Sequence, residues 1–144
     1  MSERRYLVVV TTRLAGALYA QGRFGEAQQM ADEAQAADVP DADVWSGALN
    51  LRAMLLAQRG QFPAARRLLA EAEARITPAS SPLTQAEMLM AEAEVDRLAE
   101  APDQAAASLR AALRIYEDRR ATQLAAQIRA ALAPITVHID RSPA

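Results

Sequence analysis

The feature that most constrains the fold is a short segment that occurs three times at almost constant spacing. The segment Leu18–Ala27 recurs as Leu56–Ala65, and a more divergent copy follows at Asp96–Ala105. The glycine at the centre of the first copy returns 38 residues later in the second, and Glu100 stands at the same place 40 residues after that. A repeat of this length is typical of proteins built by stacking one supersecondary unit on the next.

Each copy predicts a helix, a tight turn and a second helix. A glycine adopts the left-handed conformation that closes a helix without steric cost, and apolar residues then follow at helical spacing. The composition agrees, because 35 Ala and 16 Arg favour helices and the aromatic content of 4% is low for a sheet protein. We place helices near 4–21, 24–36, 43–59, 62–75, 83–99, 102–117 and 121–133, the last one stopped by Pro134.

Two segments conflict with this pattern. The β-branched run Val8–Thr12 favours a strand by propensity, but the repeat register places it in the first helix, and we follow the register. Ile135–Ile139 alternates like a strand, so it is either a loosely docked tail or an edge that pairs with another chain. The predicted domain therefore spans 1–134, with repeats at about 8–41, 46–80 and 86–118 and a capping helix at 121–133, followed by a tail at 135–144.

These residues resemble tetratricopeptide repeats. Repeat one carries the family's pattern at Leu14, Ala15, Leu18, Gly22, Phe24, Ala27, Ala31, Ala34 and Pro40. Repeat two carries it at Leu49, Ala53, Leu56, Gly60, Phe62, Ala65, Leu69, Ala72 and Pro78, and repeat three retains Leu89, Ala93, Ala105, Leu109 and Ala112 but departs from it at Asp96 and Glu100. The resemblance implies an all-α fold, a right-handed superhelical stack of three helix-turn-helix hairpins with a C-terminal capping helix.

A narrower resemblance concerns the segments 18–24, 93–99 and 113–117. They look like the C-terminal repeat region of bacterial signalling ATPases that carry an adenylate/guanylate cyclase-like or helix-turn-helix output domain. The chain itself has no phosphate-binding loop pattern and no lysine. The resemblance implies a bacterial origin and a regulatory role.

The inventory of reactive side chains argues against an enzyme. The chain has no cysteine, and its one histidine, His138, lies in the predicted tail. Glu92 and Glu94 are two residues apart and point to different sides of a helix. Glu87 and Glu94 share a helix face, but an ordinary solvent-exposed surface explains two acidic residues there. We expect no catalytic site, no metal site and no cofactor.

Charge and hydropathy exclude two further classes of partner. The net charge of −2 and interspersed signs argue against nucleic acid, and the pairs Arg4–Arg5, Arg66–Arg67 and Arg119–Arg120 are more typical of ion pairs on helix surfaces. No apolar run approaches the ~20 residues of a membrane span. We therefore expect a cytoplasmic protein that contacts neither nucleic acid nor membrane.

The remaining option is a binding surface. By the family's pattern, the positions that face the concave groove of the stack are Thr12, Gly16, Tyr19, Asn50, Met54, Ala57, Met90, Glu94 and Arg97, with Arg13 as a nearby cation. For any one of these residues, ordinary surface or packing is the alternative. The resemblance implies a non-catalytic module that binds a peptide or protein segment in this groove, as a scaffold or regulatory arm.

A second surface is the apolar stripe Tyr6, Leu7 and Val10 on the first helix, which has no earlier repeat in the sequence to cover it. It either packs within its own hairpin or mediates self-association into a homodimer. The alternative function is accordingly a ligand-sensing or dimerising segment of a bacterial signalling or transcription-regulatory protein.

Overall fold

The computed structural model describes residues 2–140, and over that range the chain forms seven α-helices and no strand. They are α1 (Glu3–Ala20), α2 (Phe24–Ala36), α3 (Ala42–Gln58), α4 (Phe62–Arg75), α5 (Pro82–Leu98), α6 (Pro102–Asp118) and α7 (Thr122–Asp140). The all-helical prediction is confirmed, and the first six helices begin and end within one residue of their predicted bounds. No helix in the described range is long and apolar enough to cross a membrane.

The same turn closes four helices. The second of the three residues between the two helices adopts a positive φ of 56° to 76°, and these four residues are Gly22, Gly60, Glu100 and Arg120. In each turn the next backbone N–H donates to the carbonyl five residues earlier, over 2.8 to 3.0 Å, which satisfies an otherwise unpaired carbonyl at the helix end. The third copy therefore keeps the turn despite Glu100, and a fourth turn, which the sequence comparison missed, joins α6 to α7.

A small residue follows each turn at the point where the two helices meet. The four residues are Ala27, Ala65, Ala105 and Ala125, and none is more than 2% exposed. An alanine here lets the two backbones approach closely, because no larger side chain separates them. Each turn is therefore followed by close packing of the two helices that it joins, α1 on α2, α3 on α4, α5 on α6 and α6 on α7.

The hairpins pack on one another through their first helices. Helix α3 contacts α1 on one side and α5 on the other, and α2 and α4 each contact the first helix of the following hairpin. Asp41 strengthens the first junction, because it caps α3 by accepting from Asp43 and Val44 N–H and also accepts from Arg5 of α1 at 2.7 Å. Helices α1, α3 and α5 thus lie side by side.

The prediction that Pro134 ends the last helix is wrong. Helix α7 continues through Pro134 to Asp140. A proline removes one hydrogen bond of the helical ladder, but Ile128, Leu132 and Ile135, spaced by four and three residues, keep one apolar face against the core that α7 shares with α6.

The strand alternative for the tail is wrong as well. The segment Ile135–Ile139 has a helical backbone, so it is not an edge strand, while its loose docking on the domain stays a prediction. Residues 141–144, the rest of the predicted tail, lie outside the described residues, as does the side chain of His138.

The turn yields a test of stability. We expect Gly60→Ala to lower the free energy of unfolding by about 1 kcal/mol, because no atom lies within 4 Å of the added Cβ and the cost is that of the left-handed backbone alone. Glu100→Gly should raise it by a similar amount, about 1 kcal/mol, since it relieves the same strain. Urea denaturation followed by circular dichroism measures both.

The matched control is Gly25→Ala, in the first turn of α2, where a Cβ also meets no atom within 4 Å and φ is not left-handed. It should raise the free energy of unfolding by up to about 1 kcal/mol through helix propensity. Equal effects of the same substitution at Gly25 and Gly60 would contradict the role assigned to the turn.

Candidate binding groove

An open cavity of about 680 Å³ runs along the face where α1, α3 and α5 lie side by side, and we call it the groove. Its volume is in the range of natural ligand pockets, roughly 300–1,000 Å³. It is lined by Thr12, Arg13, Gly16, Tyr19, Ala20, Gly22, Phe24, Gly47, Asn50, Leu51, Met54, Gln58, Glu87, Met90, Ala91, Glu94, Arg97 and Tyr116.

The structure brings together nearly all of the positions that the resemblance to the repeat family implies for a concave groove. Thr12, Arg13, Gly16, Tyr19, Asn50, Met54, Met90, Glu94 and Arg97 all line the groove. Ala57 does not, and the expectation for it is wrong. It is 3% exposed and packs against Ala65 and Val95, because α3 is the middle helix and neighbours on both sides cover it.

A hydrogen-bonded polar bridge crosses the groove at the end nearest the turns. Gln58 Nε2 donates to Tyr19 Oη at 2.9 Å, and Tyr19 Oη donates to Glu94 Oε1 at 2.8 Å. The Arg97 guanidinium donates to both oxygens of Glu94, at 2.8 and 2.9 Å. The polar bridge (Gln58, Tyr19, Glu94 and Arg97) therefore ties α3, α1 and α5 to one another.

The titration of these groups follows from their contacts. Burial opposes ionisation of Glu94, but hydrogen bonds from Arg97 and Tyr19 outweigh it and hold the pKa of Glu94 below its ordinary value. Burial raises the pKa of Tyr19, and the hydrogen bond to Glu94 adds to that rise while the one from Gln58 opposes it. At neutral pH Tyr19 is the neutral donor and Glu94 the charged acceptor.

The middle of the groove is apolar. Met54 and Met90 are partly buried and face it from α3 and α5, with Leu51 and Ala91 beside them and Tyr116 of α6 below. Methionine side chains are flexible and adapt to different apolar surfaces. This floor can accommodate apolar side chains of more than one shape.

Beyond this floor the groove continues into a smaller cavity of about 280 Å³ toward the N-terminal ends of the three helices. The two cavities share Thr12, Arg13, Gly47 and Glu87, and Asp43 lines the second. Glu87 is exposed to solvent, but the protein around its carboxyl removes part of its hydration, and this desolvation raises its pKa. The positive charge of Arg13 opposes the rise, and the negative charge of Asp43 adds to it.

Nine lining residues were not predicted to face the groove, namely Ala20, Gly22, Phe24, Gly47, Leu51, Gln58, Glu87, Ala91 and Tyr116. Gly47 and Glu87 lie one helical turn before Asn50 and Met90 and are themselves 40 residues apart, so extending the repeat register by one turn would have found them. Gln58 lies one residue after the last predicted position of α3. Tyr116 belongs to α6, and no signal in the register of the first helices points to it.

A separate cleft of about 420 Å³ lies between α4, α5 and α6 and receives Glu92, on the side of α5 away from Glu94. Arg66 crosses it to pair with the buried Asp96 at 2.8 Å, so this arginine makes an ion pair between helices, while Glu71 pairs with Arg75. No group of acidic or histidine side chains in the described residues could hold a metal ion.

The apolar stripe on α1 is exposed. Tyr6, Leu7 and Val10 are 58%, 56% and 43% exposed, whereas Val8 is buried against α2 and α3. None of the three stripe residues is buried within its own hairpin, whereas the neighbouring Val8 is buried and Val9 packs beside it.

Two carboxylates on the groove face of α5 have opposite effects on stability. The pKa of Glu94 is lowered in the folded state, so its contribution is present above the pKa of an unfolded glutamate and is lost as the pH falls. We expect Glu94→Gln to lower the free energy of unfolding at pH 7 by about 1–2 kcal/mol, since it removes charge-assisted hydrogen bonds. Chemical denaturation as a function of pH measures this.

The pKa of Glu87 is raised, so its ionised form disfavours the folded state. Glu87→Gln should raise the free energy of unfolding at pH 7 by about 0.3 kcal/mol. This gain should vanish at a pH below the ordinary pKa of glutamate, because the wild-type side chain is then neutral as well. Effects of the same sign for Glu87→Gln and Glu94→Gln at pH 7 would contradict the electrostatics described above.

Comparison with known proteins assigns no family to this arrangement. No protein-family model, no curated protein and no solved structure matches the chain.

Proposed function

We propose that this chain is a non-catalytic protein-interaction module that binds a peptide or protein segment in the groove. We further propose that its three hairpins and last helix form a right-handed, tetratricopeptide-like stack. The single observation that carries the proposal is that side chains at equivalent repeat positions on three different helices line one open cavity of about 680 Å³. Convergence of equivalent positions on one concave surface is how stacked repeats make extended binding sites.

The dimensions of the groove suit a short segment of chain. Fourteen residues separate Arg5, in the smaller cavity, from Tyr19, in the polar bridge. At ~1.5 Å per residue this is about 21 Å of helix, which about six residues of extended peptide would span. The apolar floor would receive side chains such as leucine, and the polar groups at both ends would fix the direction of the segment.

The role of such a module is that of a scaffold or regulatory arm. The segments 18–24, 93–99 and 113–117, which look like repeats of bacterial signalling ATPases, support a place in a regulatory protein. In such a setting, occupation of the groove would report the presence of the partner to an output domain.

A second candidate function is self-association, and the exposed stripe of α1 favours it. Tyr6 and Val10 correspond by repeat register to Val44 and Ala48 of α3, which are 8% and 4% exposed. In α3 that face packs toward the preceding hairpin, through α2. The stripe therefore has the composition of a face that another helix covers.

The groove is tested by filling it. Gly16 lines the groove and a Cβ there meets no atom within 4 Å, so we expect Gly16→Trp to place an indole in the cavity without a clash at its Cβ. Peptides selected from a random displayed library on the wild-type chain should bind Gly16→Trp at least tenfold more weakly, as measured by fluorescence anisotropy. The reason is steric, since the tryptophan occupies the space that the peptide needs.

The control is Gly25→Trp, at an exposed position on α2 that does not line the groove, and it should bind the same peptides as the wild type does. Selected peptides that bind both variants equally would show that they dock elsewhere. A library from which nothing is enriched on the wild-type chain would also count against the proposal.

Self-association is tested by light scattering over a range of protein concentrations. If the stripe mediates it, the mass should rise with concentration toward that of a dimer, and Leu7→Arg should keep the chain monomeric because a charge cannot be buried there unpaired. A wild-type chain that is monomeric at every concentration would refute the second candidate function and leave the groove as the binding surface.

A further inference from the structure

The groove contains acceptor oxygens that have no donor. Within the described residues, the buried side-chain oxygens that lack a hydrogen-bond partner are Thr12 Oγ1, Asp43 Oδ1, Ser46 Oγ and Asn50 Oδ1. Ser46 is in the core, but Thr12, Asp43 and Asn50 line the groove or its continuation. Nearly all buried polar groups in proteins are paired, and the oxygens of Asp43 and Asn50 can only accept, so their lack of a partner on one surface indicates that something else supplies the donors.

Asn50 is the most informative of the three. It is 5% exposed and lines the groove from the middle helix, one turn before Met54. The Cβ–Cγ torsion of asparagine is broad, so a rotation of this amide would turn its oxygen, which is buried in the unbound structure, toward a group that lies above the apolar floor. A donor placed there would satisfy an atom that the folded chain leaves without a partner.

The charged side chains near Asn50 also favour a ligand that donates hydrogen bonds. Glu87 and Asp43 contribute two carboxylates, and within the described residues no cation lies within 4.0 Å of either. Arg5 is held by Asp41 at 2.7 Å, and Arg13 acts on Glu87 only at longer range. A cation that entered here would meet two carboxylates that lack a close partner.

The position of this acceptor-rich end relative to the floor defines the shape of the ligand. Glu87 and Met90 are three residues apart on α5, and Asn50 and Met54 are four apart on α3, which places each acceptor about 5 Å along the helix axis from the methionine of its own helix. A short alkyl chain that ends in a cationic donor spans this distance, as the side chain of lysine does.

We infer that the groove recognises a cationic donor joined to an apolar chain, the ammonium of a lysine in an apolar segment, with the ammonium at Glu87 and Asn50 and the alkyl chain on Met54 and Met90. This inference deepens the proposed function and rests on it. It assigns the orientation of the bound segment, because the polar bridge at the other end has its hydrogen bonds already made within the chain.

Three small probes with one alkyl chain and different head groups test the inference, namely hexylammonium, hexanol and hexanoate. Titrations followed by NMR of the methionine methyl groups report binding at Met54 and Met90. Hexylammonium should bind roughly tenfold more tightly than hexanoate, with hexanol between them, since only the ammonium both donates hydrogen bonds and carries the complementary charge. Higher salt should narrow this difference.

Two variants locate the recognition. Glu87→Gln should reduce the affinity for hexylammonium to about that for hexanol, and Asn50→Leu should weaken hexylammonium binding while leaving hexanoate unchanged. The matched control is Glu92→Gln, which removes the same charge from the other side of α5, in the cleft that Arg66 crosses, and it should leave all three affinities as they are.

Each other outcome overturns the inference in a distinguishable way. Equal binding of the three probes, or tighter binding of hexanoate, would refute the cationic preference and leave the groove as a general apolar site. If Glu92→Gln weakens the binding of hexylammonium as much as Glu87→Gln does, the ammonium is attracted only by the net charge of the protein. If no probe shifts Met54 or Met90, the inference fails, while the peptide selection on Gly16→Trp decides separately on the proposed function.

Discussion

The left-handed turn between paired helices is the constraint on which the rest of the structure depends. It ends one helix and starts the next within three residues, so the two helices must pack side by side, and an alanine four or five residues later lets them do so closely. Because the turn recurs at nearly constant spacing, α1, α3 and α5 emerge on the same side and contact one another in sequence. The groove is a consequence of this repetition, since it is the surface on which the equivalent residues of three first helices meet.

Glu100 and Arg120 adopt the left-handed conformation without a glycine, which shows that packing on both sides of the turn can outweigh the cost of a Cβ there.

The two ends of the groove differ in how their polar groups are satisfied. At one end Gln58, Tyr19, Glu94 and Arg97 supply donors and acceptors to each other, so the polar bridge stabilises the contact between helices. At the other end the acceptors of Asn50 and Asp43 have no donor. A sequence under selection for stability alone would pair or replace such groups, because a buried acceptor without a donor is costly. Conflicts of this kind are expected where a protein binds something, which is why the unpaired end carries the inference about the ligand.

Most of the fold could be predicted from the sequence because helix boundaries here depend on local signals, the turn residues and the spacing of small apolar residues. The prediction failed at Pro134, where tertiary packing of Ile128 and Leu132 maintains a helix that the local signal would end. The groove positions were predictable as far as repeat register determines which way a side chain points. Its chemistry was not, since the hydrogen bond between Tyr19 and Glu94 joins residues 75 apart, and the environment of Glu87 depends on groups from α1, α3 and α6.

The two candidate surfaces overlap little, because they lie on different sides of α1. With 3.6 residues per turn, Thr12, Gly16 and Tyr19 cluster on one side of the helix and Leu7 and Val10 point roughly the other way, while Tyr6 shares a face with Arg13 at the edge of the groove. A second copy docked through Leu7 and Val10 would therefore leave the floor of the groove open. A groove ligand and a partner copy could be bound at once, each contacting the same rigid helix, and any coupling between them would require α1 to move relative to α3. The polar bridge opposes that motion, since Tyr19 is fixed to both α3 and α5. Binding at the two surfaces should accordingly be close to independent, which makes each function testable without the other.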